Sequence, residues 1–300
     1  MFMKEIFILC AAWGLIGCAS ATPQSENLLK NPPATLPRRT EIPGVPFLRQ
    51  ADNYCGPATL TMVLQWSGEK NLSVDDVAQQ VFTPGMKGTF QTDMISASRR
   101  RGRMALPLHG MKDLLTEVAA GHPVIVFENL SVKWWPQWHY AVVFGYDLDA
   151  RKVLMHSGPE AEKRWDLKTF ERSWKLGDYW GLVVLPPDQR AATADELAHM
   201  KAAAALEQIG KETEAKTAYQ TILSHWPKSF TARVGLGNLA YRQGHHREAK
   251  RYFREALKID PSSDMVRHNL AVITGKAVTG KATSDGSKPY SAPPPADQKR

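Results

Sequence analysis

The chain has 300 residues, enough for about two domains, and 43% of them are hydrophobic, which provides apolar material for packed cores. The net charge of +8 is scattered along the sequence, apart from one short basic run at residues 99–103. Since a nucleic-acid-binding surface usually needs a denser basic stripe, we expect no nucleic-acid partner.

Residues 1–17 have the pattern of an export signal, with an apolar stretch at 6–14 that is too short to span a bilayer as a mature helix. The segment ends in Leu-Ile-Gly-Cys, which resembles the lipobox of bacterial lipoproteins. The resemblance implies cleavage before Cys18 and lipid attachment at this cysteine. We therefore expect a lipid-anchored protein of the bacterial envelope, and Ala19 after the cysteine favours the outer membrane, facing the periplasm. The alternative is an ordinary secretory signal that contains a cysteine.

The chain has three cysteines, Cys10, Cys18 and Cys55. Cys10 leaves with the signal and Cys18 would be acylated, so the mature protein keeps one free thiol and no internal disulfide partner for it. A free thiol in an oxidising compartment is a liability unless the protein uses it. A buried, inert Cys55 is the alternative interpretation.

Two segments have the composition of flexible chain. Residues 18–42 combine several prolines with Ser, Thr and Asn and show no helical or strand period, so we predict a tether between the lipid anchor and the first domain. Residues 276–300 are rich in Gly and Pro, which predicts a disordered tail.

Residues 43–187 are predicted to form an α+β domain. Helical patterns occupy its first half, including a capping box in which Ser73 precedes Asp76 by three positions. Four apolar, β-branched runs follow, at residues 123–127, 139–146, 152–156 and 181–185. Helices followed by strands joined through short turns predict an antiparallel sheet.

Residues 193–275 contain an internal repeat with an offset of 34 residues. Its Gly, Ala, aromatic, hydrophobic and Pro positions recur in the same order, which resembles the tetratricopeptide repeat and predicts an all-α domain. Ala215 and Ala249 are expected to let paired helices pack closely. Residues from about 264 to 274 are predicted to form a capping helix. Two repeats and a cap are close to the minimum for a stable array, so we expect them to need the first domain as a support.

The segment around Cys55 has the features that a thiol nucleophile needs. Pro57 favours the first turn of a helix, and the unpaired N–H groups at a helix start favour a thiolate. We expect Gly56 to let a substrate carbonyl approach the backbone. The side-chain amide of Gln50 and the backbone N–H of Cys55 are then candidates for holding an oxyanion.

His139 is the best candidate for the base that activates the thiol, because it opens an apolar strand and can stand at the rim of a cleft. The tryptophan-rich residues 134–138 precede it. They are expected either to form a wall that shields the reacting pair and grips a peptide, or to be ordinary packing residues.

Taken in order, Val-Pro-Phe-Leu-Arg-Gln at 45–50, Cys-Gly-Pro-Ala at 55–58, Gly-His-Pro-Val-Ile-Val at 121–126 and His-Tyr-Ala-Val-Val-Phe-Gly-Tyr-Asp at 139–147 resemble the bacteriocin-processing, double-glycine leader peptidases. The resemblance implies a papain-like fold over residues 43–186, with Cys55 and His139 as the catalytic pair and Gln50 in the oxyanion role. It also implies cleavage after small residues such as Gly.

The third member of the family's site has no counterpart where it is expected. In the family an Asp on the neighbouring strand orients the His. Counting from a turn near residue 149 places residues 157–159 opposite His139, and these are Ser-Gly-Pro. Ser157, a backbone carbonyl, or Glu160 or Asp166 folding back are the alternatives for holding the imidazole. We expect lower activity or a narrower range of conditions, since a Cys–His pair can act without a carboxylate.

Three functions remain open. The first is a cysteine peptidase whose repeats recruit a protein partner or substrate, and the second is a peptide-binding module that does not cut. The third is an envelope scaffold in which the repeats carry the main function. The histidines lack the spacing of a metal site and there is no phosphate-binding glycine loop, so we expect no metal and no cofactor.

Overall fold

The structure, a computed structural model, describes residues 22–50 and 53–275. The helices are α1 Pro23–Lys30, α2 Cys55–Trp66, α3 Val74–Val81, α4 Gln91–Arg100, α5 Met111–Ala119, α6 Leu167–Leu176, α7 Glu196–Gln208, α8 Glu212–His225, α9 Phe230–Arg242, α10 His246–Ile259 and α11 Asp264–Thr274. The strands are β1 Arg39–Glu41, β2 Phe82–Thr83, β3 Gly88–Thr89, β4 Met104–His109, β5 Val124–Asn129, β6 Trp138–Asp147, β7 Lys152–Ser157, β8 Glu160–Asp166 and β9 Trp180–Leu185. The α+β fold class followed by helical repeats is confirmed.

The main sheet is antiparallel, with the strand order β4-β9-β5-β6-β7-β8, and β1 pairs with the far end of β6. Its central strands are covered on both faces, which explains why they read as continuous apolar runs rather than as alternating ones. On one face, α2 packs against β5, β6 and β9 through a core that includes Leu60, Leu64, Ile125, Val142 and Leu182. The other face carries α5 and α6. The capping box of Ser73 and Asp76 is confirmed at the start of α3.

The expected tether at residues 18–42 is wrong for the part of it that the structure describes. Residues from Pro23 onward form helix α1, in which Leu28 is buried. The carboxylate of Glu171 accepts hydrogen bonds from the backbone N–H groups of Gln24, at 3.0 Å, and Ser25, at 2.6 Å. This cap comes from a residue far along the chain, so local composition did not reveal it. Strand β1 then joins the main sheet.

The signal at residues 1–17, the lipidation site Cys18 and the tail at 276–300 lie outside the described residues, and they stay predictions. Within the described ranges, 22–50 and 53–275, no helix is both long enough and apolar enough to span a membrane.

The repeats form two helix pairs, α7–α8 and α9–α10, with α11 as the capping helix. Ala215 and Ala249 are fully buried, as expected for close helix pairing. Gly235 contributes another close approach, since a Cβ there would lie 2.7 Å from the ring of Tyr219.

The repeats also pack on the first domain, as expected for so short an array. The apolar core on the α5 face of the sheet continues through Met104 and Leu106 into Met200 and Ala203 of α7. In addition, the buried carboxylate of Glu117 accepts hydrogen bonds from the backbone and hydroxyl of the linker residue Thr193. The two parts therefore share one core.

Candidate active site

Cys55 is the first residue of α2, so its thiol lies at the helix N-terminus. The thiol is free and half-buried. Burial raises the pKa of the Cys55 thiol, and the backbone N–H groups of Tyr140 and Gly56 lower it only in part. The thiol is accordingly protonated near neutral pH until something in the reaction removes its proton.

A glycine is needed at position 56 for a different reason from the one we expected. We expected this glycine to let a substrate approach the backbone, but the residue is buried in the protein. A Cβ at Gly56 would lie 2.5 Å from Oγ1 of Thr89, on strand β3. The glycine therefore allows β3 to pack directly against the first turn of α2.

His139 lies near the start of β6 and lines the same cleft as Cys55. Its Nε2 is 3.0 Å from Oγ of Ser157, on β7, so the residue that hairpin counting placed near His139 does contact it. Burial, together with the positive charge of Lys163, lowers the pKa of His139 to about 4. The imidazole is therefore neutral at physiological pH.

Gln50 lines the cleft beside Cys55. Both polar atoms of its side-chain amide are buried and have no hydrogen-bond partner within the part of the chain that the structure describes. Its backbone N–H donates to the carbonyl of Gly158 at 3.4 Å, which ties this segment to the β7–β8 turn. A buried amide without a partner usually costs free energy, so an unused donor at this point is suited to a ligand's oxygen.

The two alternative carboxylates for the third position are engaged elsewhere. Glu160 pairs with Lys163 at 3.1 Å. Asp166 caps α6 by accepting hydrogen bonds from the backbone N–H groups of Lys168 and Thr169. Neither carboxylate folds back onto His139, and Ser157 remains as the contact of its Nε2.

The cleft has a volume of about 940 Å³. Met86, Phe90, Leu130 and Trp138 give its lining apolar patches, which lie among polar and charged residues. Trp138 stacks on Phe127, with ring centroids 5.0 Å apart.

The tryptophans of residues 134–138 meet the two expectations only in part. Trp138 forms part of the cleft wall. Trp134 and Trp135 instead project into solvent, with 83% and 77% of their surface exposed. Neither lines the cleft, and neither packs in the core.

Sequence reasoning missed several residues of the site. The cleft residues 86–90 include the two-residue strand β3, which no sequence motif marks. Lys163 comes into place through strand β8, whose polar sequence has no strand pattern and which forms by pairing with β7. Glu128 carried a usable signal, because it is a charged residue directly after the apolar run 124–127 of β5.

Comparison with known families agrees with this architecture. The model of the family described as "Peptidase_C39 like family" matches residues 42–179, which include Cys55, His139 and Ser157. Two tetratricopeptide repeat models match residues 197–229 and 231–263.

Among solved structures, the chain is similar to a protein from Bacillus anthracis described as a C39-like peptidase, with 18% identity, a TM-score of 0.41, and coverage of 51% of this chain and 98% of that one. It is also similar to the peptidase domain of Streptococcus ComA, a bi-functional ABC transporter involved in a quorum sensing pathway. There the identity is 21% and the TM-score 0.40, with coverage of 48% and 99%. No curated protein matches the chain.

Proposed function

Given that residues 42–179 form a C39-like peptidase domain that is followed by two tetratricopeptide repeats, we propose that the protein is a cysteine peptidase with Cys55 as nucleophile and His139 as base. One observation carries the proposal. A free thiol at a helix N-terminus opens into the same cleft as an imidazole whose far nitrogen is held by Ser157.

In the proposed mechanism, Nδ1 of His139 takes the proton of the Cys55 thiol as the sulfur attacks the carbonyl carbon of the scissile bond. The carbonyl oxygen becomes an oxyanion and accepts hydrogen bonds from the backbone N–H of Cys55 and the side-chain amide of Gln50. The imidazolium then gives its proton to the leaving amine, and the C–N bond breaks. A water molecule, deprotonated by His139, hydrolyses the thioester and restores the thiol.

The charged pair is costly to form in this site. Burial raises the pKa of Cys55, while burial and Lys163 lower that of His139 to about 4, so both groups are neutral at rest. Ser157 can orient the imidazole but supplies no negative charge to balance an imidazolium. We therefore propose a slower enzyme than one with a carboxylate in this place.

The proposed substrate is a peptide or protein segment that enters the cleft in extended form, with cleavage after a small residue such as Gly. Apolar walls at Phe90 and Trp138 suit the side chains that flank the scissile bond. The repeats are proposed to recruit the substrate or another protein partner.

We also propose that the protein is a lipoprotein of the bacterial envelope, anchored through Cys18 and facing the periplasm. Replacement of Cys18 by Ser should release the protein from the membrane fraction and abolish labelling with a radioactive fatty acid. Retention of both properties in this variant would refute the proposed anchor.

The peptidase proposal is tested by incubating the purified protein with a defined peptide pool and with an envelope extract, read by mass spectrometry. The control is Cys55→Ala, which removes the sulfur and leaves the cleft otherwise intact. We expect fragments that appear only with the unaltered protein. Identical fragment sets for both proteins would refute peptidase activity.

A second candidate is a peptide-binding module that does not cut, and the neutral Cys55 and His139 favour it. In that case peptides from the pool should bind equally to the protein and to its Cys55→Ala variant, with no cleavage by either. A scaffold function of the repeats is a third candidate. Deleting residues 190–300 would not test it cleanly, because Met200 and Ala203 share the core of the first domain. Substitution of an exposed repeat residue such as Tyr241 is the better test.

A further inference from the structure

A buried carboxyl group lies behind the cleft and has no role in the mechanism above. Glu128, on β5, is fully buried. Its Oε2 accepts a hydrogen bond from the hydroxyl of Ser173, on α6, at 2.8 Å. Its Oε1 has no hydrogen-bond partner within residues 22–50 and 53–275. Burial of a carboxyl group with one oxygen unsatisfied is costly, so it needs an explanation.

The sheet register relates this carboxyl group to the catalytic histidine. Glu128 on β5 lies directly opposite His139 on β6. Side chains directly opposite each other in an antiparallel pair project from the same face, with Cβ atoms about 5 Å apart. Glu128 and His139 do not form an ion pair in the structure. The positive charge of Lys163 nevertheless lowers the pKa of both groups, so the three side chains lie within electrostatic range of one another.

The two strands beside His139 therefore present groups of different charge. On the β7 side, the hydroxyl of Ser157 fixes the ring through Nε2 but carries no charge. On the β5 side stands a group that can become an anion. A buried negative charge a few ångströms away favours the charged form of an imidazole even without a hydrogen bond.

We propose that Glu128 is a positioning residue of the reacting pair, and that its carboxylate stabilises the imidazolium that forms when His139 takes the proton of the Cys55 thiol. The inference rests on the proposed function, since it assigns Glu128 a part in the same reaction. Glu128, on β5, supplies a negative charge, which Ser157, on β7, lacks.

The inference predicts a specific pH dependence. Burial raises the pKa of Glu128 to about 7, against the partial opposition of the Ser173 hydrogen bond and Lys163. Below this pH the carboxyl group is neutral and gives the imidazolium no support; above it, the carboxylate supports proton transfer to His139. The reactivity of Cys55 should therefore rise through a limb near pH 7.

Other charged groups also face the reacting pair. Lys163, from β8, opposes the imidazolium of His139 through its positive charge. Glu160, at the cleft end of β8, pairs with Lys163. The contact from α6 is the neutral hydroxyl of Ser173.

The test measures the rate at which iodoacetamide alkylates Cys55 in the full-length protein between pH 5 and 9. This readout does not require peptide cleavage. In Glu128→Gln, which keeps the size of the side chain but removes its ionisation, we expect the limb near pH 7 to vanish and the rate at pH 8 to fall about tenfold.

Ser173→Ala is the second variant. It removes the one hydrogen bond that favours the carboxylate, so the pKa of Glu128 should rise and the limb should move to higher pH. A role for Glu128 in packing alone would not move the limb. Should Glu128→Gln fail to fold, as judged by circular dichroism, the Ser173→Ala profile decides the question.

Wild-type pH profiles in the folded variants would overturn the inference. An altered alkylation profile in a protein that cleaves no peptide would support the role of Glu128 and refute the proposed peptidase activity. Peptide cleavage with an unchanged alkylation profile would support the proposed peptidase activity and refute the role of Glu128.

Discussion

Replacement of Ser157 by Asp should activate the thiol, because it restores a carboxylate next to the catalytic imidazole. Oγ of Ser157 is 3.0 Å from Nε2 of His139, so a carboxylate at this position can accept a charged hydrogen bond from the ring. In the unaltered protein this contact is neutral, and the pKa of His139 is held at about 4.

The expected gain follows from these values. An adjacent carboxylate raises the pKa of an imidazole by roughly one to three, equivalent to about 1.4–4 kcal/mol in favour of the imidazolium. Ser157 is only 4% exposed, so the new carboxylate is itself costly to ionise. Lys163, whose positive charge acts on His139, is expected to offset part of its charge. We therefore expect the low end of the range, a roughly tenfold gain in the population of the thiolate–imidazolium pair.

The assay is the rate of alkylation of Cys55 by iodoacetamide at pH 6, followed by peptide cleavage with the same variants. Ser157→Asn is the matched control, because it has the shape of Asp but no charge. Ser157→Ala removes the contact altogether and should lower the rate several-fold, consistent with loss of a hydrogen bond worth about 1 kcal/mol. Equal alkylation rates for the Asp and Asn variants would refute the reasoning.

Three further outcomes are expected from other variants. Gln50→Ala should lower kcat about 100- to 1000-fold, as for loss of an oxyanion donor, while thiol alkylation stays unchanged; a parallel loss of alkylation would contradict this role. Because burial raises the pKa of Glu128 from 4.5 to about 7, its ionisation should reduce the free energy of unfolding as pH rises from about 4.5 to 7, by up to roughly 3 kcal/mol. Urea denaturation of Glu128→Gln should lack this loss, and an unchanged pH dependence would refute the burial argument. Gly56→Ala should destabilise the protein by about 1–3 kcal/mol, since the new Cβ meets Thr89 at 2.5 Å. In thermal denaturation, Gly85→Ala, which has open space around it, should cost less.

Several features could be predicted from the sequence because they depend on neighbouring residues. The Ser73–Asp76 capping box, the helix that begins at Cys55 and the apolar strand that follows His139 are local patterns, and the structure has all three. The 34-residue repeat was equally visible, since each helix pair carries its own packing pattern.

Other features were missed or wrongly predicted, each for a physical reason. The segment that forms helix α1 was predicted to be a flexible tether, because the residue that caps the helix, Glu171, comes from the distant helix α6. Strand β8 was missed because its polar sequence forms a strand only by pairing with β7. Gly56 was assigned to substrate access, whereas the close contact of Thr89 explains it.

The sequence by itself therefore determined the α+β and repeat architecture and the two candidate reacting groups, Cys55 and His139. Hairpin counting also placed Ser157 near His139 among several alternatives. Only the tertiary structure decided which of these contacts the imidazole, and it added Glu128, opposite His139 on β5, and Lys163 from β8. The reason is that cross-strand neighbours depend on register, and register depends on turns, bulges and packing spread over the whole domain.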